Sequence, residues 1–347
     1  MEEVKHPGLH LKSEIDKLGM SVNEFSFRTL IPLKTLNKII SGDANFDSEI
    51  AKKISMFFDN KIETWMNMQT RYDEYLIEKE LDKNMNEEVE IVKLLEKDFL
   101  KKVLDKETNI NVKAEVVKDL RVKFMVNSLL LLKNDLYKLY KPEDEVDEKE
   151  LILKNAFISY SIYLTNHKRS KDFDYKNNTE LIQGLKKLTF EDHKNQIAKF
   201  KDILKKYGIT LVITPFIKDS NIGSFIKYMP SENGVIMSIS DKYSDAYLFI
   251  YHILLGLAHT YKINKNVFNI ISYKEKADSY AIKYANDAFI DSDEYDYFVH
   301  IHDFQSKAVD IFSKKMNVAK YIVVGRLRMD KLIKQADLKK ENKEYKF

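Results

Sequence analysis

Apolar residues recur at helical spacing along most of the chain. Over residues 8–76 they form five short amphipathic segments with polar residues between them. Four breaks separate these segments: Gly19, Pro32, Gly42 and Asp59-Asn60. Each break stands where a helix has to end or begin, so the pattern predicts a five-helix bundle.

The helical pattern continues after residue 76. A Lys- and Glu-rich connector over 76–105 is expected to be solvated on one side, and further apolar runs cover 112–140 and 151–165. The acidic stretch Glu143–Glu150 lies between those runs, and a block of like charges is typical of a solvated loop.

Strand patterns start only after Gly208. The segment Ile209–Ile213 is rich in β-branched residues, and Val235–Ile239 follows the turn dipeptide Asn233-Gly234. We expect these two segments to be strands of one small sheet. After Asp245 the pattern is helical again.

These elements predict a mainly α fold in three parts. The N-terminal five-helix domain covers 1–76, a helical middle region covers 77–205, and an α+β domain with a small sheet covers 206–347. Helices are expected over 247–259 and 275–289 in the last part. The low content of turn residues, 9 Gly and 5 Pro in 347 residues, also favours long helices over hairpins.

Composition narrows the function classes. The chain has no Cys, so a disulfide framework is excluded and any zinc site would have to use His and carboxylate ligands. The longest apolar run, around Leu129–Leu132, is too short to span a bilayer, and no signal-like segment follows Met1. We therefore expect a cytoplasmic protein without a membrane partner. A net charge of +3 leaves nucleic-acid binding open.

Two helices joined by a tight turn are predicted over residues 21–42. Ser21 and Glu24 have the spacing of a capping box, in which each side chain bonds the amide of the other residue. The pair Leu30-Ile31 ends this helix, Pro32 suits the first turn of the next one, and Gly42 closes it. This arrangement is typical of a helix-turn-helix, although a small bundle with a polar surface gives the same periodicity.

The second of these helices has one polar face. Leu36, Ile39 and Ile40 fall on one stripe, which leaves Leu33, Lys34, Asn37, Lys38 and Ser41 on the opposite face. Asn and Lys side chains can bond base edges or phosphates, and a Leu side chain can contact a thymine methyl group. The predicted DNA contacts are Leu33, Lys34, Thr35, Asn37 and Lys38.

The N-terminal part resembles the HigA-type antitoxins of the xenobiotic-response-element repressor class. The matching segments are His6-Pro7-Gly8, Ser21–Gly42, Ala51–Ile54 and Thr64–Asp73. The resemblance implies a homodimeric repressor that binds operator DNA in its own promoter and neutralises a partner toxin. Trp65, within the last segment, is expected to be core packing.

Two residues depart from the HigA-type pattern. Val22 stands where the family usually has a Gln that contacts the DNA backbone, and Leu30 replaces the Gly usual in the turn. Both departures are expected to reduce the affinity for operator DNA. They suggest an alternative function, an interaction protein that no longer binds DNA.

The C-terminal part resembles the ImmA/IrrE metallopeptidases that are often fused behind such repressors, which implies a zincin-like fold. The matching segments are Tyr207–Pro215, Ile222-Gly223, Val235–Ser240, Tyr247–His259, Glu275–Ala281 and Ile322–Arg328. Those peptidases carry HExxH on a helix, where two His bind zinc and the Glu is the general base.

The zinc motif is degenerate in this sequence. His252 stands at the first ligand, Ile253 at the general base and Gly256 at the second ligand, and the third ligand of the family falls at Lys276. We therefore expect no enzyme activity, no catalytic residue and no cofactor. The domain is then a folded relic that serves binding.

The rival hypothesis is an active zinc peptidase that cleaves a repressor or toxin. His259 lies seven residues after His252, about 10 Å along a helix, which is too far for one zinc ion to bind both easily. His300 and His302 would share one face if their segment were a strand, and could then supply replacement ligands.

Overall fold

The computed structural model describes residues 3–105, 114–139, 145, 147–165, 172–173, 178–229, 233–262, 268–272 and 277–347. The chain divides into two compact units, Met1–Asn86 and Glu87–Phe347. None of the helices in the described ranges combines the length and hydropathy that crossing a membrane would require.

The first unit contains the five helices that the sequence predicts. They are α1 (Pro7–Lys17), α2 (Val22–Thr29), α3 (Leu33–Ser41), α4 (Ser48–Phe57) and α5 (Ile62–Lys83). The predicted breaks are confirmed, because Gly19, Gly42 and Asp59 all adopt the left-handed conformation that stops a helix. Helix α5 runs seven residues beyond the expected domain boundary at residue 76.

The core of the first unit is apolar, and its helices pack closely. Helix α1 packs against α3, and a Cβ atom at Gly8 would lie 1.8 Å from the carbonyl oxygen of Ile39, so only glycine permits this approach. Trp65 is fully buried among the core residues, and its Nε1 donates to Asn60 Oδ1 at 3.0 Å. Its predicted packing role is confirmed.

The second unit begins with a helical half. Its helices are α6 (Met85–Leu94, whose first two residues precede the unit boundary), α7 (Lys97–Leu104), α8 (Ala114–Lys123), α9 (Glu148–Leu164), α10 (Asn178–Leu188) and α11 (His193–Lys206), with a 3₁₀ turn at Leu129–Lys133. The expectation that Glu143–Glu150 is a loop is wrong for its last residues. Asp147 caps α9 by accepting from the amide of Lys149 at 2.9 Å, and acids suit the first turn of a helix. Residues 143, 144 and 146 lie outside the described residues.

A four-stranded mixed sheet forms the other half. The strands are β1 (Ile209–Thr214), β2 (Ser224–Met229), β3 (Gly234–Ser240) and β4 (Phe268–Ile271), in the order β1-β3-β2-β4. The two predicted strands are confirmed as β1 and β3, which pair in parallel with Ile209 opposite Val235. Strands β2 and β4 were not predicted, and each lies antiparallel to a neighbour.

Helix α12 (Ala246–Lys262) packs against β2 and β3 and lies at the centre of the main core. It is followed by α13 (Ser279–Phe289), α14 (Ser292–Ile301), α15 (Ser306–Met316) and α16 (Lys320–Met329). Burial on both sides explains why α12 reads as a continuous apolar segment. The mainly helical fold with a small sheet is confirmed.

The structure groups residues 87–205 and 206–347 in one unit. Ser161 on α9 contributes to this grouping, because its hydroxyl bonds those of Thr214 on β1 and Ser238 on β3 at 2.7 and 3.0 Å. The three-part division of the sequence stays a prediction, since one compact unit can comprise two folding domains.

Candidate nucleic-acid interface and surroundings of His252

The start of α2 has the cap that the sequence predicts. Ser21 Oγ accepts from the amide of Glu24 at 3.1 Å. The Glu24 carboxylate does not complete the expected capping box with the Ser21 amide, because it accepts from Arg28 Nη2 at 2.5 Å one turn further along. The helix is therefore capped from one side and braced by an i,i+4 ion pair.

The turn between α2 and α3 is held by its backbone. Leu30 adopts the left-handed conformation, with φ of 55°, and its side chain is 78% exposed. The Ser26 hydroxyl donates to the carbonyl of buried Ile31 at 2.6 Å. Pro32 precedes α3, and its carbonyl accepts from the Thr35 and Leu36 amides at 2.9 and 3.0 Å. These bonds fix the direction in which α3 leaves the turn.

Helix α3 presents the predicted polar face to solvent. Leu36 and Ile39 are fully buried, whereas Lys34, Asn37 and Lys38 are exposed. The other two predicted contacts lie on the edges of this face, Leu33 being partly exposed and Thr35 intermediate. Within the part of the chain that the structure describes, neither Lys34 nor Lys38 forms an ion pair. The structure thus places all five predicted residues on one short helix.

Val22 and Asn23 differ in their exposure at the start of α2. Val22 is partly buried and packs against the core of the first unit, whereas Asn23 beside it is exposed. A side chain that packs inward contributes to the stability of the fold. Asn23 is the residue of this pair that retains a polar group at the surface.

His252 on α12 is enclosed by protein. Its Nδ1 lies 2.8 Å from Ser224 Oγ on β2, and its ring lies 3.8 Å from the ring of Tyr243, centroid to centroid. Burial lowers the pKa of His252 to about 3. The imidazole is therefore neutral near pH 7 and bonded within the protein.

Ile253 and Gly256, the positions at which the sequence comparison expects the general base and the second ligand of a peptidase, also face packed protein. Ile253 is buried in the main core. A Cβ atom on Gly256 would lie 2.7 Å from the terminal methyl carbon of Met237 on β3, so a side chain at this position would have to displace the end of the Met237 side chain. These residues do not fit a zinc ion. Lys276 lies outside the described residues.

The other histidines do not form a replacement site in the described residues. His259 is buried, and its Nδ1 lies 2.8 Å from the side-chain nitrogen of Asn269 on β4. His300 and His302 do not lie in a strand, as a replacement site would require. His300 lies in α14, and His302 ends that helix in the left-handed conformation. Across the described ranges, no three His, Cys, Asp or Glu side chains are grouped as metal ligands.

No family model matches this chain. Its N-terminal region is similar to virulence-associated protein A′ of Dichelobacter nodosus, with 34% identity over 74 residues, which are 21% of this chain and 64% of that protein. It is also similar to an uncharacterized HTH-type transcriptional regulator of Escherichia coli (strain K12), YddM, with 28% identity over 76 residues, or 22% of this chain and 81% of that protein. The chain thus spans less than two thirds of the first of these relatives.

A search of solved structures gives an addiction module antidote protein of a HigA family from Coxiella burnetii. It is 28% identical to this chain, the match covers 24% of this chain and 94% of that one, and the TM-score is 0.23. Helices α2 and α3, two short helices joined by a tight turn, have helix-turn-helix-like geometry, and the E. coli relative is itself named as HTH-type.

Proposed function

We propose that this chain is an antitoxin-type transcriptional repressor that acts in the cytoplasm. Its first unit binds operator DNA, and its second unit binds a partner protein, a toxin, without catalysing a reaction. The observation that carries the proposal is α3, which follows a tight turn and presents an exposed polar face on which, among the described residues, Lys34 and Lys38 form no ion pair. The E. coli relative named as a transcriptional regulator supports the same role.

The exposed face of α3 offers the two kinds of contact that a DNA reader needs. Lys34 and Lys38 are one helical turn apart and can each neutralise a phosphate. Asn37 lies between them and can form a bidentate bond with adenine in the major groove, while Leu33 can contact a thymine methyl group. In a homodimer the two α3 helices would be spaced about 34 Å apart, or a multiple of it, to match an inverted repeat.

The proposed binding role of the second unit rests on its relic site. The resemblance to ImmA/IrrE peptidases favours a zincin-like origin, and Ile253 stands at the general-base position. His252 is bonded to Ser224, and Gly256 is packed against Met237, which supports a domain without peptidase chemistry. We infer that a domain that has this fold but lacks the catalytic residues serves to bind a partner.

A mobility-shift titration against the DNA upstream of the gene tests the DNA-binding role. The wild-type protein should bind with an affinity that falls steeply as salt rises, because phosphate contacts release counterions. Lys34→Ala and Lys38→Ala should each weaken binding and reduce the salt slope by about 1, since each removes the cation that neutralises one phosphate. Asn37→Ala should cost about 1–3 kcal/mol and relax the preference for one base pair.

Lys83→Ala is the matched control for the two lysine variants. Lys83 is also exposed, although it pairs with Glu80. It lies ten residues, about 15 Å, further along α5 than Asp73, whose carboxylate accepts from Asn45 in the loop after α3. Its removal should leave the salt slope unchanged. If wild-type protein gives no shift at low salt, the proposal fails and a role confined to protein interaction is favoured.

Metal analysis of the purified protein separates the proposal from the peptidase alternative. We expect no stoichiometric zinc and no proteolysis of a co-expressed repressor or toxin. A zinc content of one per chain that is lost in His252→Ala, together with proteolysis, would favour the active peptidase.

A further inference from the structure

An exposed apolar groove lies between α14 and α15. Tyr297 and Ile301 line it from α14 and are 66% and 55% exposed, and Ile311 lines it from α15 and is 61% exposed. The groove has a volume of about 230 Å³. Large apolar side chains that are exposed side by side indicate an interaction site more often than scattered ones do.

The floor of this α14–α15 groove is firmly packed. Phe298 and Phe312 are buried beneath it, and their rings stack with centroids 4.2 Å apart and planes 4° from parallel. The exposed side chains therefore stand on a fixed base. A partner that docks here would lose little free energy to reordering of the groove.

Carboxylates flank the apolar groove on the α14 side. The chain carries five Asp or Glu residues and no Lys or Arg between Asp291 and Asp303. Glu294 and Asp303 line the groove itself. Lys315, the one lysine in that lining, pairs with Glu294, so among the described residues Asp303 is the carboxylate of the lining without an ion pair.

From this arrangement we propose that the α14–α15 groove docks a basic amphipathic helix of a partner protein. The apolar stripe of the helix would cover Tyr297, Ile301 and Ile311, and its Lys or Arg residues would face Asp303 and the other acids of α14. Such a helix-in-groove contact takes its affinity from the apolar anchors and its selectivity from the charges at the rim.

The charge of the rim favours this occupant over the others. DNA and anionic membrane surfaces are repelled by a cluster of carboxylates. A second copy of this chain that docked α14 on α14 would bring like charges together. A basic helix is the partner that both the apolar floor and the acidic rim accept.

This inference rests on the proposed binding role of the second unit and specifies its surface. The probe is a labelled Leu/Lys peptide of about 18 residues, roughly 27 Å as a helix, and its matched control carries Glu in place of Lys. Fluorescence anisotropy with the full chain should show at least tenfold tighter binding of the Lys peptide. The preference should shrink as salt rises.

Variants identify the surface. Ile311→Asp should weaken the Lys peptide at least tenfold, whereas Val122→Asp should not, although Val122 on α8 is similarly exposed at 64%. Asp303→Lys should weaken the Lys peptide and strengthen the Glu peptide, which a merely unfolded variant cannot do. Circular dichroism verifies the fold of each variant.

Three outcomes would overturn the inference. The first is equal binding of the Lys and Glu peptides, and the second is an equal effect of Ile311→Asp and Val122→Asp on binding. The third is a dimer in light scattering that Ile311→Asp converts to a monomer, because the occupant of the groove would then be a second copy of the chain. The operator titration tests DNA binding by α3 and does not depend on the groove. A negative result with the peptides can therefore be distinguished from a failure of the DNA-binding role.

Discussion

Leu30 shows how one residue in the turn affects the first unit. Its left-handed backbone is the conformation that a β-carbon disfavours, and its exposed side chain gains little from burial. The HigA-type pattern has Gly at this position. The left-handed backbone of Leu30 therefore places steric strain in the turn that orients α3.

We expect Leu30→Gly to stabilise the chain by about 1 kcal/mol, because glycine adopts this conformation at little steric cost. The midpoint of urea denaturation, followed by circular dichroism, measures the change. Leu18→Gly is the matched control, since Leu18 is also exposed but has φ of −81°. The account fails if Leu30→Gly destabilises the chain as much as the control does.

At the scale of elements, α6 is fixed to α8 by a buried ion pair. Arg121 Nε and Nη2 donate to the two carboxylate oxygens of Glu88 at 2.9 and 2.8 Å. Ser128 Oγ and the Leu129 amide donate to the same carboxylate. Desolvation would raise the pKa of Glu88, but these donors outweigh it and lower the pKa, so the group is ionised in the folded protein.

Removing one partner of this pair should be costly. We expect Glu88→Gln or Arg121→Met to destabilise the chain by roughly 3–5 kcal/mol, because an uncompensated buried group remains. The double variant Glu88→Met/Arg121→Leu should recover most of that loss. Urea denaturation of all three variants gives the free energies of unfolding.

The exposed pair formed by Glu90 and Lys93 provides the control on the same helix. Glu90→Gln should change the free energy of unfolding by less than about 0.5 kcal/mol, since solvent screens an exposed pair. A similar loss for Glu88→Gln and Glu90→Gln would contradict the structural role assigned to the buried pair.

At the scale of the whole molecule, the first unit has a closed core of its own. We expect a fragment of residues 1–86 to fold alone with one cooperative thermal transition. Residues 76–80 of α5 are all exposed, so a fragment ending at residue 76 should be less stable by no more than about 1 kcal/mol. Thermal melts of the two fragments test both statements.

The companion fragment 87–347 is the control for this division, and it should also fold cooperatively. An unfolded 1–86 fragment would show that the first unit depends on the rest of the chain. A 1–76 fragment that does not fold would place the energetic boundary at the end of α5, and not where the sequence pattern changes.

Much of the fold could be predicted from local patterns. The five helices of the first unit follow from periodicity and from breakers such as Gly19 and Gly42, whose backbone preferences act over a few residues. Strands β1 and β3 were predictable because β1 is rich in β-branched residues and β3 follows the turn dipeptide Asn233-Gly234. Strand β2 was not, since Lys227 interrupts its pattern, and β4 has only four residues.

The amino-acid sequence by itself determined where the first four helices of the first unit end and which face of α3 is polar. Only the tertiary structure decided that Glu88 is buried, that Gly256 is packed against Met237, and that Tyr297 and Ile311 form one groove. The physical reason is distance along the chain: caps and periodicity act within a few residues, whereas burial depends on segments that meet only in the folded molecule.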